Sequence, residues 1–292
     1  PLFESFERER VETPGAVIEL VHGGDGPPVL FLHGYPQTRA MWHLVAPILA
    51  EDFTVVAADL RGYGDSSKPF GDEDHSTYSK RAMAGDQAAV MESFGFDSFA
   101  VVGHDRGARV GHRMALDYPD SITKLAVLDI VPTRHVFRTV GKDLATAYYH
   151  WFFYIQPYDL PETLIGADPS YYLRKKLGGW GTSLETFAPE ALSEYERCFD
   201  AATIHASCED YRAAASIDLV HDEADRDEGR KVECPLLTLW GGRGVMERLY
   251  DVEAVWREYA NDVKGKPLDA GHYLAEERPE ETAQELGDFL EE

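Results

Sequence analysis

The residues Gly103-His104-Asp105-Arg106-Gly107 stand between a run of strand-forming residues at 99–102 and an amphipathic stretch that begins at Arg106. Glycines on either side of a central carboxylate permit a sharp strand-to-helix turn, because glycine accepts backbone conformations and close approaches that other residues do not. Asp105 would then project from the end of a strand at the positive N-terminus of a helix, where an anion is stabilised. The residue type decides the chemistry. A serine at such an elbow attacks acyl carbon, but on saturated carbon it would leave an ether that water cannot remove. A carboxylate attacking saturated carbon leaves an ester, and base-activated water hydrolyses that ester at the Asp105 carbonyl to restore the nucleophile. The pattern therefore predicts displacement at sp³ carbon, with halides and epoxides as the candidate electrophiles.

The base is expected late in the chain, and Asp269-Ala270-Gly271-His272 offers His272 in the order nucleophile, acid, histidine. The loop after 235–240, Gly241-Gly242-Arg243-Gly244-Val245-Met246, carries no carboxylate to orient it, so the acid is assigned to Asp129 at the end of 125–128, with Asp251 as the alternative. Ester hydrolysis creates an oxyanion that needs fixed N–H donors. His33-Gly34-Tyr35-Pro36 follows a strand and should supply the Tyr35 amide, and the Arg106 amide should supply the second donor. Arg106 and Arg109, three apart on the helix leaving the elbow, share a face beside Asp105 and could hold a substrate carboxylate.

Positioning these groups requires strand ends that converge. Short β-branched and aromatic runs at 16–21, 28–33, 53–57, 99–103, 125–130, 235–240 and 264–268 read as strands. Between them, 79–94, 106–118, 250–259 and 280–290 have apolar residues recurring at three and four, and Pro119 closes the second. The alternation predicts an α/β fold, a mostly parallel sheet with helices on both faces. From about 133 to 231 the chain is rich in Tyr, Trp and Phe with helical periodicity, which predicts an inserted helical cap between core segments 1–132 and 232–292. The charged run 221–230 is expected to be a solvated helix face or linker. Gly-Gly-Asp-Gly at 23–26 lacks the Lys-Ser/Thr of a phosphate loop and is expected to be a hairpin turn, and 59–66 to be a structural loop.

The 292 residues suffice for one large domain or a domain carrying an insertion. The 44% hydrophobic content, with no run of 18 apolar residues and no charged-then-apolar leader, leads to the expectation of a soluble, cytoplasmic protein. A net charge of -24, from 52 acidic against 28 basic residues, argues against nucleic acid or anionic membrane as partner. With 9 Lys beside 19 Arg it is also compatible with a surface adapted to concentrated salt. Cys198, Cys208 and Cys234 are too scattered for a disulfide framework or a zinc cage. The 11 histidines show no metal-ligand spacing, so no metal and no cofactor beyond water is expected.

On these residues the chain resembles the fluoroacetate (haloacetate) dehalogenases of the α/β-hydrolase superfamily. The matching segments span the chain: 33–38, 103–109, Asp129, 148–153, 208–212, 239–241, 244–250 and 271–272. The resemblance implies that Asp105 attacks the halogen-bearing carbon of a small anionic haloacid, that Arg106 and Arg109 bind its carboxylate, and that His272 with Asp129 activates water. It also implies that His150, Trp151 and Tyr211 cradle the halide, and that the protein is a homodimer. Fluoride leaves readily only when its developing charge meets several N–H and O–H donors, which these side chains can provide. Trp180 is a further candidate for the pocket wall. Tyr35 departs from the Phe common in such enzymes, a change that leaves the backbone N–H in place. The competing reading is an epoxide hydrolase, which would need two cap tyrosines as acids, from Tyr148, Tyr149, Tyr154 and Tyr211. A ligand-binding receptor that had lost catalysis would not need to keep nucleophile, base and acid together.

Overall fold

A computed structural model describes residues 2–292. Eight strands, β1 (Glu7–Glu12), β2 (Val17–Gly23), β3 (Pro28–Leu32), β4 (Thr54–Ala58), β5 (Phe99–His104), β6 (Ile122–Leu128), β7 (Leu236–Gly241) and β8 (Val263–Leu268), form one sheet in the order β1-β2-β4-β3-β5-β6-β7-β8. The first three pair antiparallel and the rest parallel. The central strands are continuous apolar runs because helices cover both faces, and every residue of β5 and β7 is buried. The ends of β5, β6 and β7 lie side by side, Gly103 opposite Val127 and Leu128 opposite Leu239, so the loops that follow them converge at one edge.

The expected strands all form. The strand not anticipated, β1, reads Glu-Arg-Glu-Arg-Val-Glu and is exposed but for Val11. It lacks the apolar alternation that marks a strand, and its charges suit an edge that must not recruit another chain. Residues 23–26 make a turn, as expected, but not a hairpin: β4 lies between β2 and β3, so the turn carries the chain past the start of β4. Gly24 (φ 86°) is required there, since a Cβ would run into the carbonyls of Phe53 and Ala50.

Between β6 and β7 the described residues form helices and no strand, from Thr133–Thr139 through His150–Phe153, Pro169–Leu177 and Ala201–Ala214 to Ile217–Asp227. The charged run 221–230 is not simply solvated. Asp225 is buried, and Arg113 on the elbow helix Arg106–Asp117 donates to Asp225 (2.5 Å) and Asp222 (2.7 Å). The run thus docks a helix onto the core. No helix of the described residues is long and apolar enough to cross a membrane.

Candidate active site

Asp105 sits between β5 and the elbow helix with φ 48° and ψ -116°, a conformation that costs a non-glycine residue about 1–3 kcal/mol. The neighbouring glycines make it possible. A Cβ on Gly103 would lie 2.6 Å from the Ala108 amide nitrogen, and one on Gly107 would collide with the carbonyls of Leu32 and His33. The turn presents the carboxylate to the Tyr35 amide, which donates to Asp105 Oδ2 at 2.9 Å. Burial pushes the Asp105 carboxyl up, but His272, Arg106 and Arg109 together outweigh it and leave its pKa below the ordinary value. The group is an anion, the state in which a carboxylate can attack carbon.

His272 Nδ1 lies 2.5 Å from Asp129 Oδ2, and Asp129 Oδ1 accepts from the Gly241 amide at 2.9 Å. The glycine loop after β7, which carries no acid, therefore contributes a backbone donor that orients the acid after β6. Asp251, the alternative acid, instead caps the helix Val252–Arg257 by accepting from Ala254 N at 3.1 Å. Burial disfavours the charged His272 imidazole, yet the bond to Asp129 and the fields of Asp129 and Asp105 raise its pKa. With Nδ1–H committed to Asp129, the Nε2 atom is the one available as a base.

Arg106 and Arg109 are both buried beside Asp105. Arg106 donates through Nη2 to Asp210 Oδ1 at 2.7 Å and through Nε at 3.2 Å, while Arg109 Nη1 donates to the Val131 carbonyl (2.9 Å) and Thr133 Oγ1 (3.1 Å). Each keeps one buried donor with no partner among the described residues, Arg106 Nη1 and Arg109 Nε. Burial and the neighbouring Arg106 push the Arg109 guanidinium down to about 10, so it remains a cation with no carboxylate of its own.

Above them stand side chains from the inserted helices. Tyr211 lies under the Arg106 guanidinium (4.0 Å to the ring centroid), Trp151 under Arg109 (4.7 Å), and His150 within 5.3 Å of Tyr211. Burial, then Lys176 and Arg106, hold His150 well below its ordinary pKa, so it is a neutral imidazole. Among the described residues the Trp151 indole N–H and the hydroxyls of Tyr148 and Tyr211 make no hydrogen bond, although all three residues are buried. Of the other two candidate tyrosines, Tyr154 is bound to the Tyr35 hydroxyl at 2.6 Å and Tyr149 is exposed. The Trp180 ring centroid lies 5.2 Å from that of His272 and 5.1 Å from that of His150.

A profile of the alpha/beta hydrolase fold matches residues 27–279. The chain belongs to the α/β-hydrolase family. A fluoroacetate dehalogenase of Burkholderia sp. is 49% identical over 99% of this chain and 95% of its own length. A soluble epoxide hydrolase of Corynebacterium sp. (strain C12) is 33% identical, covering 91% of each. Among solved structures, an alpha/beta hydrolase of Nostoc sp. superposes with TM-score 0.97 at 59% identity, covering 99% of both chains. A Pseudomonas aeruginosa protein described as an epoxide hydrolase superposes with TM-score 0.94 at 44% identity, covering 99% and 97%. The resemblance drawn from the motifs thus extends along the whole chain.

This α/β-hydrolase site depends on residues that motif spacing did not single out. Asp210 is fully buried and collects Arg106, Lys80 Nζ (2.6 Å) and the Tyr63 hydroxyl (2.6 Å), while Lys80 also reaches Asp218 (3.0 Å). The network fixes the Arg106 guanidinium and neutralises it in part. Arg109, without such a partner, is left as the stronger anchor for an anion. Asp210 precedes Tyr211 in a segment already matched, but nothing in its spacing says that its partner comes from the elbow.

A second such residue of the α/β-hydrolase is Glu276, where the loop bearing His272 meets the loop bearing Tyr35. It accepts from Gln37 Nε2 (2.5 Å) and from the Tyr195 hydroxyl (2.8 Å). No cation is among these partners, and burial pushes the Glu276 carboxyl up to about 8. The folded chain therefore holds a proton that the unfolded chain has lost between about 4.5 and 8, so this group's contribution to stability falls as pH rises through that window. Glu276→Gln, an isosteric neutral change, is expected to raise the melting temperature by several degrees at pH 8 and by little at pH 5. Thermal unfolding at the two values checks this; an equal shift at both would show that Glu276 does not titrate there.

Proposed function

We propose that the protein hydrolyses short 2-haloacids, such as fluoroacetate and chloroacetate, to the 2-hydroxyacid and halide. One observation carries the reading: Arg106 Nη1 and Arg109 Nε, two buried cationic donors without partners among the described residues, belong to side chains whose charge acts directly on the Asp105 carboxylate. A buried unpaired charged donor is costly unless a ligand completes it, and a carboxylate is the natural complement. With its carboxylate on the two arginines, a small haloacid presents its α-carbon to Asp105. The free oxygen, Oδ1, attacks that carbon, and the carbon–halogen bond breaks. The halide leaves toward the His150, Trp151 and Tyr211 donors, with His150 neutral and so able to donate without adding charge. His272 Nε2 then takes a proton from water as the water attacks the Asp105 carbonyl. The Tyr35 amide is already hydrogen-bonded to Oδ2, where the oxyanion develops, and the Arg106 amide at the helix N-terminus is the second donor. Collapse of the intermediate expels the hydroxyacid, whose alkoxide oxygen takes back the proton held on His272 Nε2, and loss of the remaining water proton restores the Asp105 carboxylate.

Epoxide opening shares every step but the leaving group and would use the free hydroxyls of Tyr148 and Tyr211 as acids. The arginine pair discriminates, since a neutral epoxide leaves both buried donors unsatisfied. Incubation with chloroacetate, fluoroacetate and styrene oxide separates the readings: halide release without diol formation is expected. Diol formation without halide would reverse the assignment.

A further inference from the structure

Asp105, His272 and Trp151 are 8%, 3% and 1% exposed, so a substrate must pass something to reach them. Trp180 is the side chain that faces both ways. On one side its ring lies against His272 and His150; on the other it lines a surface cleft of about 640 Å³ together with Lys142, Arg243 and Arg248. Trp180 has φ 53° and follows Gly178-Gly179 and precedes Gly181 (φ 85°), and its indole N–H is held by the Ala147 carbonyl at 3.0 Å. Swinging the ring aside breaks that bond and parts it from the rings of Tyr148, His150, His272 and Tyr273.

The cleft is also unusual for a chain of net charge -24. Lys142 and Arg248 are exposed and form no ion pair among the described residues, while Arg243 is tied to Asp269 (2.5 Å) and Glu277 (3.2 Å). Asp143 is the acidic residue of the lining. Behind Trp180 lies Lys176, buried without an ion pair among the described residues, its amine 5.4 Å from the Trp180 ring and pushed down to about 7 by burial, and the cations Arg109 and Arg106 lie deeper, beside Asp105. An anion approaching an acidic protein is repelled everywhere except where local cations focus the field.

We propose that this cleft is an anion-collecting vestibule, in which Lys142 and Arg248 capture a small carboxylate and Trp180 is the door to Asp105. The proposal rests on the haloacid reading of the site. A vestibule speeds entry and exit alike, so its residues control association without altering the affinity of the seated ligand.

The test uses tryptophan fluorescence in stopped flow, following chloroacetate binding to the Asp105→Asn protein, which binds without reacting. Adding K142E and R248E is expected to slow association about tenfold at low salt. Dissociation should slow in parallel, the equilibrium affinity should stay within about twofold, and the difference should vanish in molar KCl. Adding K231E and K264E instead changes the net charge equally, away from the cleft, and is expected to slow association by less than about twofold. Equal slowing by both pairs, or by neither, overturns the vestibule. Wild-type protein that releases no halide from any haloacetate overturns the reading of the site itself, a failure visible before any variant is made.

Discussion

Asp105→Asn is expected to abolish halide release, with a loss on the order of 10⁶-fold in turnover, as for other covalent nucleophiles. A carboxamide oxygen is a feeble nucleophile toward saturated carbon, and no other carboxylate is placed to substitute: Asp129 is committed to His272 and Gly241, and Asp210 to Arg106, Lys80 and Tyr63. The fold should survive, because the Tyr35 amide that now donates to Oδ2 can donate to the amide oxygen. Ion chromatography of released halide, beside thermal unfolding of the same sample, separates lost chemistry from lost structure. A variant that folds and retains even a hundredth of the activity would mean that water attacks the substrate carbon directly.

His272→Asn should stop the cycle halfway. Displacement of halide does not need the imidazole as a base, so each chain is expected to release one halide and then stall as a carboxymethyl ester on Asp105. Steady turnover should fall by roughly 10²–10⁴, the usual contribution of a positioned base. Peptide mass spectrometry would find the ester at Asp105, and a variant that turns over freely would contradict the role of His272. The raised His272 pKa fixes the sign of a companion effect. Only the neutral imidazole accepts a proton, so the wild-type rate should climb with pH as His272 loses its proton, whereas the single halide burst of the variant should show no such rise.

The elbow was legible in the sequence because its chemistry and its geometry demand the same residues. Gly103 and Gly107 are there for lack of room, and in the proposed mechanism the carboxylate between them is there for reactivity. The pairing of Asp129 with His272 was legible by elimination, since the loop after β7 offers no acid. Other features arise from contacts between segments far apart in the chain. Asp210 holds Arg106 across 104 positions and Glu276 joins Gln37 across 239, and neither leaves a local periodicity to read. β1 stayed hidden because an exposed charged edge lacks the alternation that betrays a half-buried strand. The run 221–230 misled in the opposite sense: its acids look solvated until Arg113, on a helix more than a hundred residues earlier, is seen to bind two of them.

In the proposed mechanism halide is displaced by Asp105 and water enters only afterwards, at the ester carbonyl. A single turnover of chloroacetate in heavy-oxygen water, with enzyme in excess, tests it most directly. The expected result is one chloride per chloroacetate, glycolate whose new hydroxyl carries ordinary oxygen, and heavy oxygen in the Asp105 peptide. Heavy oxygen in the glycolate hydroxyl with an unlabelled Asp105, or no chloride at all, would contradict it.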